Sequence, residues 1–362
     1  MDGSVRQILD PRILSAAYAQ IPNDTPMPLT EAWFDPFDKE PIDDDSFRVM
    51  YDPADMTPAP GNIIGSEARI ITVGNAKEKI YNFAYSFNST NFEENVMRAL
   101  REPASYQLQN MGRTEVTRIM NKFRNRQRRF KELWIAKLIT QGTVYMNNAG
   151  QILESSTNAT QTATFEMQAS NQGNLGGLMT GLLSNPSTDI PSIIETIDDT
   201  AVGLNVPATT DVWVNKLNLQ YLRNNNSFKY WAQYNKEASD QVLRGGIIND
   251  LWGKTWHFIG TKYTASDGTT KPYIPQTGTG SFVLTPPPGL PWMKVAEGAS
   301  LLPKDVNIVT DVDEALANIV KTYGPFAYAK LEHNPLRMMA FMGDKFGLFF
   351  NDPNAVWQAT GF

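Results

Sequence analysis

The sequence predicts a mixed α+β chain in which helices and strands follow one another without regular alternation. One long amphipathic helix is expected over residues 113–141, and short stretches with alternating apolar and polar residues predict strands on both sides of it. No repeated strand–helix unit of the kind that builds a barrel or a doubly wound sheet is visible. With 362 residues, of which 41% are hydrophobic and 19% are charged, the chain can bury a sizeable core.

The first 88 residues predict an arm followed by a long β-hairpin. Four prolines in residues 1–30 break any long helix, although residues 13–20 allow a short one. Residues 31–65 are rich in Pro, Asp and Gly and cannot bury much apolar surface alone. Strands are expected over residues 47–51 and 67–87, with a break in the second at Gly74-Asn75.

The end of this hairpin alternates strictly and places four aromatic side chains on one face: Tyr81, Phe83, Tyr85 and Phe87. A two-stranded hairpin is marginally stable in water by itself. Burying one such side chain stabilises a fold by roughly 1.5–3 kcal/mol. We therefore expect this aromatic face to have no partner in its own chain and to pack against another copy.

Helices and strands are expected along the rest of the chain. A short helix over residues 91–100 precedes the long helix, whose apolar positions recur at spacings of three, four or seven before Gly142 ends it. Further helices are predicted over residues 189–202, 216–223, 227–234 and 311–323, and further strands over residues 144–153, 163–169, 211–214, 255–263 and 281–284. A closing hairpin is expected over residues 336–350, with its turn at Gly343-Asp344.

Charge is unevenly distributed along the chain. Residues 24–55 carry ten acidic and two basic side chains, and the acidic ones include the run Asp43, Asp44 and Asp45. Residues 113–131 carry eight basic side chains and one acidic one. Among the eight are Arg118, Lys122, Arg124, Arg126, Arg128 and Arg129. The opposite signs predict charge pairing within the chain or between copies, while a nucleic-acid-binding helix is the alternative interpretation.

The composition argues against most catalytic chemistry. The chain has no cysteine and only two histidines, His257 and His333, which nearly excludes thiolate sites, His-based triads and zinc sites. The nearest approach to a phosphate loop, residues 246–255, has Ile248 where the first glycine is required. The aspartate run lacks the spaced oxygens and turn glycine of a calcium loop. We predict no catalytic residue, metal or cofactor, and no stretch predicts a membrane span.

Four stretches carry a resemblance to a known family. They are residues 130–142, residues 211–214 with 219–234, residues 260–275, and residues 348–359. Together with the order of arm, hairpin, long helix and separate α/β lobe, they resemble the lambda-type major capsid protein E family of tailed phages, which has the HK97-type fold. The resemblance lies in the order and spacing of the parts, over residues 9–362, and in no single sharp motif.

The resemblance implies a division of the chain. The expected parts are an N-terminal arm (1–30), an extended loop (31–88), a peripheral domain (89–204) with a spine helix (112–142), an axial domain (205–322) and a return to the peripheral domain (323–362). Nothing near the N-terminus resembles a cleavable scaffolding segment, so any scaffold is expected to be a separate protein.

The resemblance also implies a function. It predicts a non-enzymatic major capsid protein that assembles in the host cytoplasm into hexamers and pentamers of an icosahedral virion shell. The shell would enclose double-stranded DNA without sequence-specific binding, with a scaffolding protein, a portal and a decoration protein as possible partners. The aspartate run, the four aromatic residues and the six basic residues named above are the expected intersubunit contacts. An encapsulin-like compartment, a nucleic-acid-binding protein and a carboxylate-based glycosidase stay open as alternatives.

Overall fold

In a computed structural model of the chain, the structure describes residues 11–21, 25–51, 77–91, 106–165, 171–204, 206–235, 247–289, 292–303, 319–333 and 336–362. The helices in these ranges are α1 (Pro11–Ala19), α2 (Pro28–Trp33), α3 (Tyr106–Gln141), α4 (Ile190–Gly203), α5 (Leu219–Asn224) and α6 (Asn226–Tyr234). In the part of the chain described, no helix is both long enough and apolar enough to cross a membrane.

The strands before α4 are β1 (Glu40–Ile42), β2 (Ser46–Tyr51), β3 (Lys77–Asn82), β4 (Ala84–Asn91), β5 (Thr143–Met146), β6 (Ile152–Leu153), β7 (Gln161–Thr164) and β8 (Gln172–Gly173). The later strands are β9 (Asp211–Asn215), β10 (Ile247–Leu251), β11 (Lys254–Ile259), β12 (Lys262–Thr264), β13 (Thr270–Pro272), β14 (Thr279–Thr285), β15 (Met293–Pro303), β16 (Ile319–Tyr323), β17 (Phe326–His333), β18 (Leu336–Phe350) and β19 (Trp357–Thr360).

Two six-stranded sheets organise the structure. The first has the order β1-β15-β18-β17, with β16 pairing β15 and β4 pairing β18. The second has the order β10-β11-β9-β14-β19-β8, and the apolar side chains of α4, α5 and α6 pack against it. Strands β15 and β16 thus lie in the first sheet and β19 in the second. The division of the chain into arm, extended loop, peripheral domain and axial domain stays a prediction.

The long helix α3 connects the sheets to the arm. It ends at Gln141 because Gly142 takes a left-handed backbone conformation with φ of 66°. Glu132, buried on α3, accepts hydrogen bonds from the backbone N–H of Leu29 at 3.0 Å and of Thr30 at 2.7 Å. These bonds satisfy N–H groups at the start of α2, which otherwise lack partners. Burial raises the pKa of Glu132, although the bonds from Leu29 and Thr30 act in the opposite direction.

The base of the predicted hairpin is confirmed. Strands β2 and β3 are antiparallel, with Ser46 opposite Asn82 and Tyr51 opposite Lys77. Residues 52–76, which contain the expected tip, lie outside the described residues. The second strand does not continue to Phe87, however. It stops at Asn82, and β4 begins a separate pairing with β18 in the first sheet.

Two other predictions of local structure are wrong. Gly343-Asp344 is not a turn, because both residues lie in the middle of the 15-residue strand β18. The helix predicted over residues 311–323 fails at its C-terminal end, because Ile319–Tyr323 is a strand that pairs with β15. Residues 304–318 lie outside the described residues. Of the helix expected over residues 91–100, Asn91 is instead the last residue of β4, and residues 92–100 lie outside the described residues.

Candidate assembly surfaces

Strands β4, β18 and β17 form a three-stranded ribbon within the first sheet, with β18 in the centre. Residues that face each other in an antiparallel pair lie on the same side of a sheet, and neighbours in sequence lie on opposite sides. Phe87 and Phe326 both pair with Gly343, so all three share one face. Asp344 lies on the other face. The two faces of the ribbon can therefore be compared residue by residue.

One face of the ribbon, called the covered face below, is buried by the chain itself. Ala327 and Ala329 on β17, with Ala340 and Met342 on β18, are all buried. They pack in one cluster with apolar side chains of α1 and α3, namely Leu14, Tyr18, Ile21, Val116 and Met120. Ser15 of α1 also donates a hydrogen bond to the carbonyl of Ala327 at 3.0 Å. The N-terminal helix is thereby fixed on this face.

The opposite face of the ribbon, called the aromatic face below, carries a layer of rings. Its members are Tyr85, Phe87, Phe326, Tyr328 and Phe341. Phe87 stacks on Phe341 with ring centroids 5.7 Å apart, and Tyr328 stacks on Phe341 at 4.9 Å. Tyr85 and Phe87 stack on each other at 5.8 Å and remain 48% and 44% exposed. Two of the four predicted aromatic residues therefore present a large apolar surface to solvent in the single chain.

Gly343 allows this layer to form. A Cβ atom built at this position would lie 2.2 Å from Cζ of Phe326, far closer than carbon atoms can approach. With no side chain at the centre of β18, the ring of Phe326 lies over the backbone and is only 1% exposed. Tyr85 and Phe87 then stack against Phe326 from β4. The glycine that suggested a turn instead accommodates a ring.

Tyr81 and Phe83 do not belong to the aromatic face. Each is 7% exposed, and both pack in the core of the same chain against Phe349. Tyr81 also stacks on Phe165 at 4.6 Å. The expectation that all four aromatic side chains lack a partner in their own chain is therefore wrong for these two. The reason is the break at Phe83, which ends the regular alternation assumed from the sequence.

The acidic run finds partners in the first sheet. Lys321 and the Tyr323 hydroxyl, both from β16, donate to the Asp43 carboxylate. Lys345 of β18 donates to the Asp45 carboxylate at 2.6 Å. The bonds from Lys321 and Lys345 lower the pKa of Asp43 and Asp45 respectively. Asp44 is exposed.

The basic helix does not pair with this acidic run among the ion pairs of the described residues. Arg124 and Lys131 are instead buried and face Asp344 of the covered face, at 3.5 Å and 3.2 Å. Asp344 itself is 1% exposed. The proposal that Arg124 meets another copy therefore needs correction, because its guanidinium is enclosed by its own chain.

The other basic residues of α3 differ in their surroundings. Arg128 donates to the carbonyl of Ile21 at 2.8 Å and so helps to hold the arm. Arg118 forms an ion pair with Glu115 one turn away, and the Arg126 guanidinium lies 5.9 Å from the ring of Phe123. These two, with Lys122 and Arg129, are exposed.

The residues considered for catalysis make contacts that hold the fold together. Lys254, from the stretch compared with a phosphate loop, is buried and pairs with Asp198 and Thr209. His257 accepts or donates one hydrogen bond with Asp211 at 2.7 Å and stacks on Trp213 at 4.0 Å. Across the described ranges, no group of three or more Asp, Glu or His side chains could hold a metal ion.

Comparison with known structures defines the fold. A prophage capsid protein from Escherichia coli CFT073 has the same fold, with a TM-score of 0.57 and 16% identity over 97% of this chain and 99% of that one. A phage-related protein from Bordetella bronchiseptica RB50 matches with a TM-score of 0.51 and 11% identity, over 98% and 97% of the two chains. The fold is that of HK97-type phage capsid proteins, as predicted.

The sequence then defines the family. The model of the phage major capsid protein E family matches residues 10–299, so the chain belongs to that family. No curated protein sequence matches the chain. The chain is therefore a shell-forming structural protein of a phage virion. The predicted family and function are confirmed, and the nucleic-acid-binding alternative is not favoured.

Proposed function

We propose that this chain is the repeating subunit of an icosahedral shell, built from hexamers and pentamers, that encloses double-stranded DNA. Neighbouring copies pack on the aromatic face, and Tyr85 and Phe87 lie at the centre of that contact. The observation that carries this proposal is the contrast between the faces of one ribbon. The covered face is buried by α1 and α3, while two large stacked rings on the aromatic face stay about half exposed.

The physical argument is one of burial. Exposed stacked aromatic rings form a patch that soluble monomers rarely keep unless it binds something. A closed symmetric assembly buries the same patch on every copy, so the gain is repeated in every subunit. The groove above the aromatic face measures about 770 Å³, and residues 160–163 and 299–302 also line it. In this proposal a segment of a neighbouring copy occupies the groove.

Charge supplies register in this proposal. The exposed cations of α3, namely Arg118, Lys122, Arg126 and Arg129, and the exposed Asp44 face partners of opposite sign on neighbouring copies. Exposed ion pairs contribute only about 0–1 kcal/mol each, so they select the orientation of the contact more than its strength. The net charge of −6 keeps the enclosed DNA from adhering to the wall.

The proposal includes no catalytic step. Assembly takes place in the host cytoplasm, and a scaffolding protein, a portal and a decoration protein are the partners proposed for it. Electron microscopy of the purified chain, expressed with and without a candidate scaffold, tests the proposal. We expect closed particles of uniform diameter with rings of six and five subunits. A chain that stays dispersed under both conditions would contradict it.

A further inference from the structure

A second concave surface, distinct from the aromatic face, lies where α1, α3 and the first sheet meet. We call it the arm cavity. It measures about 820 Å³. Five basic side chains line it, namely Lys39, Arg124, Arg128, Lys131 and Lys321, whereas the acidic lining side chains are Asp35 and Glu297. The cavity therefore concentrates positive charge that comes from three separate parts of the chain.

Arg124 is the residue that points to a ligand. It is 8% exposed, and neither Nε nor Nη1 of its guanidinium has a hydrogen-bond partner among the described residues. Nη1 lies 3.5 Å from Asp344, which is an ion-pair distance but too long for a good hydrogen bond. A buried N–H group without an acceptor is costly, and native structures normally supply one.

The cations beside Arg124 strengthen this requirement. Lys131 Nζ lies 3.7 Å above the ring of Phe34 and 3.2 Å from the carboxylate of Asp344. Burial lowers the pKa of Lys131; the Asp344 carboxylate opposes this shift, and the positive charge of Arg124 adds to it. Burial also raises the pKa of the nearby Glu297 carboxyl, while the positive charge of Lys131 acts in the opposite direction. An additional anion would offset the repulsion between the two cations.

We propose that the arm cavity binds an oxyanion of phosphate size, held by Arg124 and assisted by Lys39 and Lys131. Guanidinium N–H groups match the spacing of oxyanion oxygens, and lysine adds charge without a fixed geometry. The oxyanion is a free ion, because the guanidinium of Arg124 is enclosed by its own chain. This anion site goes beyond the proposed shell function, because residues of a single chain form it without any contact between copies.

Binding would have a structural consequence for the arm. Ser15 and Ala16 of α1 line the cavity together with residues of α3 and of β16. A ligand that contacts only the folded arrangement stabilises it by mass action. The oxyanion would therefore strengthen the attachment of the N-terminal helix to the body of the subunit.

The test is a titration of inorganic phosphate into the dispersed chain at constant ionic strength, followed by calorimetry and by thermal unfolding. We expect saturable binding of one ion and a higher unfolding midpoint than with chloride alone. Arg124→Gln should weaken binding roughly tenfold or more, as expected for the loss of a charge-assisted contact. Arg124→Gln alters a buried site and can impair folding. Lys39→Gln, at the half-buried edge of the cavity, is therefore a second variant that should also weaken phosphate binding.

Lys294→Gln is the matched control, because Lys294 is an exposed lysine that pairs with Glu40 outside the cavity. It should bind phosphate as the unaltered chain does. Absence of saturable binding, or equal binding by the Lys39 and Lys294 variants, would overturn the proposal. Repeating the titration on assembled particles should give the same saturable binding, because residues of one chain line the cavity. Loss of phosphate binding there would contradict a site that one chain completes alone. Since the dispersed chain is used first, failure of assembly would not be mistaken for failure of this site.

Discussion

The two faces of the ribbon formed by β4, β18 and β17 share a backbone but differ in what completes them. The covered face holds small apolar residues and Asp344, and α1 and α3 bury it. The aromatic face holds large rings, and nothing in the described chain covers Tyr85 and Phe87 completely. The comparison suggests that one face is built for the stability of the subunit and the other for contact between subunits.

The largest effect is expected on the covered face. Asp344→Ala would leave Arg124 and Lys131 buried without their carboxylate. Breaking a buried ion pair from one side costs about 3–5 kcal/mol. Denaturant unfolding of the dispersed chain measures this loss, with Asp44→Ala as the exposed control. A loss below about 1 kcal/mol would show that the charges on this face are not coupled as the distances indicate.

A smaller effect is expected at the centre of the aromatic face. Gly343→Ala would place a methyl group against the ring of Phe326 and force that ring to move. Overpacking of this kind costs about 1–3 kcal/mol. Gly203→Ala, at the end of α4, is the matched control, because a Cβ atom there meets nothing within 4 Å. Equal unfolding free energies for the two variants would contradict the role assigned to Gly343.

The smallest effect is a pH dependence at the acidic run. Lysine hydrogen bonds hold the pKa of Asp43 and Asp45 below the ordinary value of 3.8 in the folded chain. The stability that these carboxylates add is therefore present above pH 3.8 and is lost as the pH falls through their folded pKa values. Asp45→Asn should make the acid limb of the stability curve shallower, measured by urea unfolding between pH 5 and about pH 2. Asp44→Asn should leave that limb unchanged. A shallower acid limb for Asp44→Asn than for Asp45→Asn would contradict the pairing of Asp45 with Lys345.

Patterns of local sequence predicted much of the fold. The end of α3 at Gly142, the base of the hairpin and helix α4 followed from periodicity and helix-ending residues. The family followed from the order of these parts. Such features depend on neighbouring residues, which a single sequence displays directly.

The misplaced features depend on distant partners. Gly343-Asp344 is a common turn sequence, and only the ring of Phe326 and the cations of α3 explain why it lies within a strand. For this reason the sequence did not reveal that Asp344 is the buried partner of two cations. The spacing of Arg124 and Lys131 along one predicted helix is the signal that could have suggested a buried carboxylate. Likewise, the break at Phe83 sends Tyr81 into the core, and no local alternation reveals it.

The most direct test of the central claim pairs two measurements on the double variant Tyr85→Ser with Phe87→Ser. Sedimentation reports whether the chain assembles, and denaturant unfolding of the dispersed chain reports its stability. Val202→Ser, which removes an exposed apolar side chain on α4, is the control. We predict that the double variant fails to assemble while the dispersed chain still unfolds cooperatively, with a loss of about 1–3 kcal/mol because two half-buried rings give up their packing on Phe326 and Phe341. Normal assembly of the double variant would contradict the claim that neighbouring copies pack on the aromatic face.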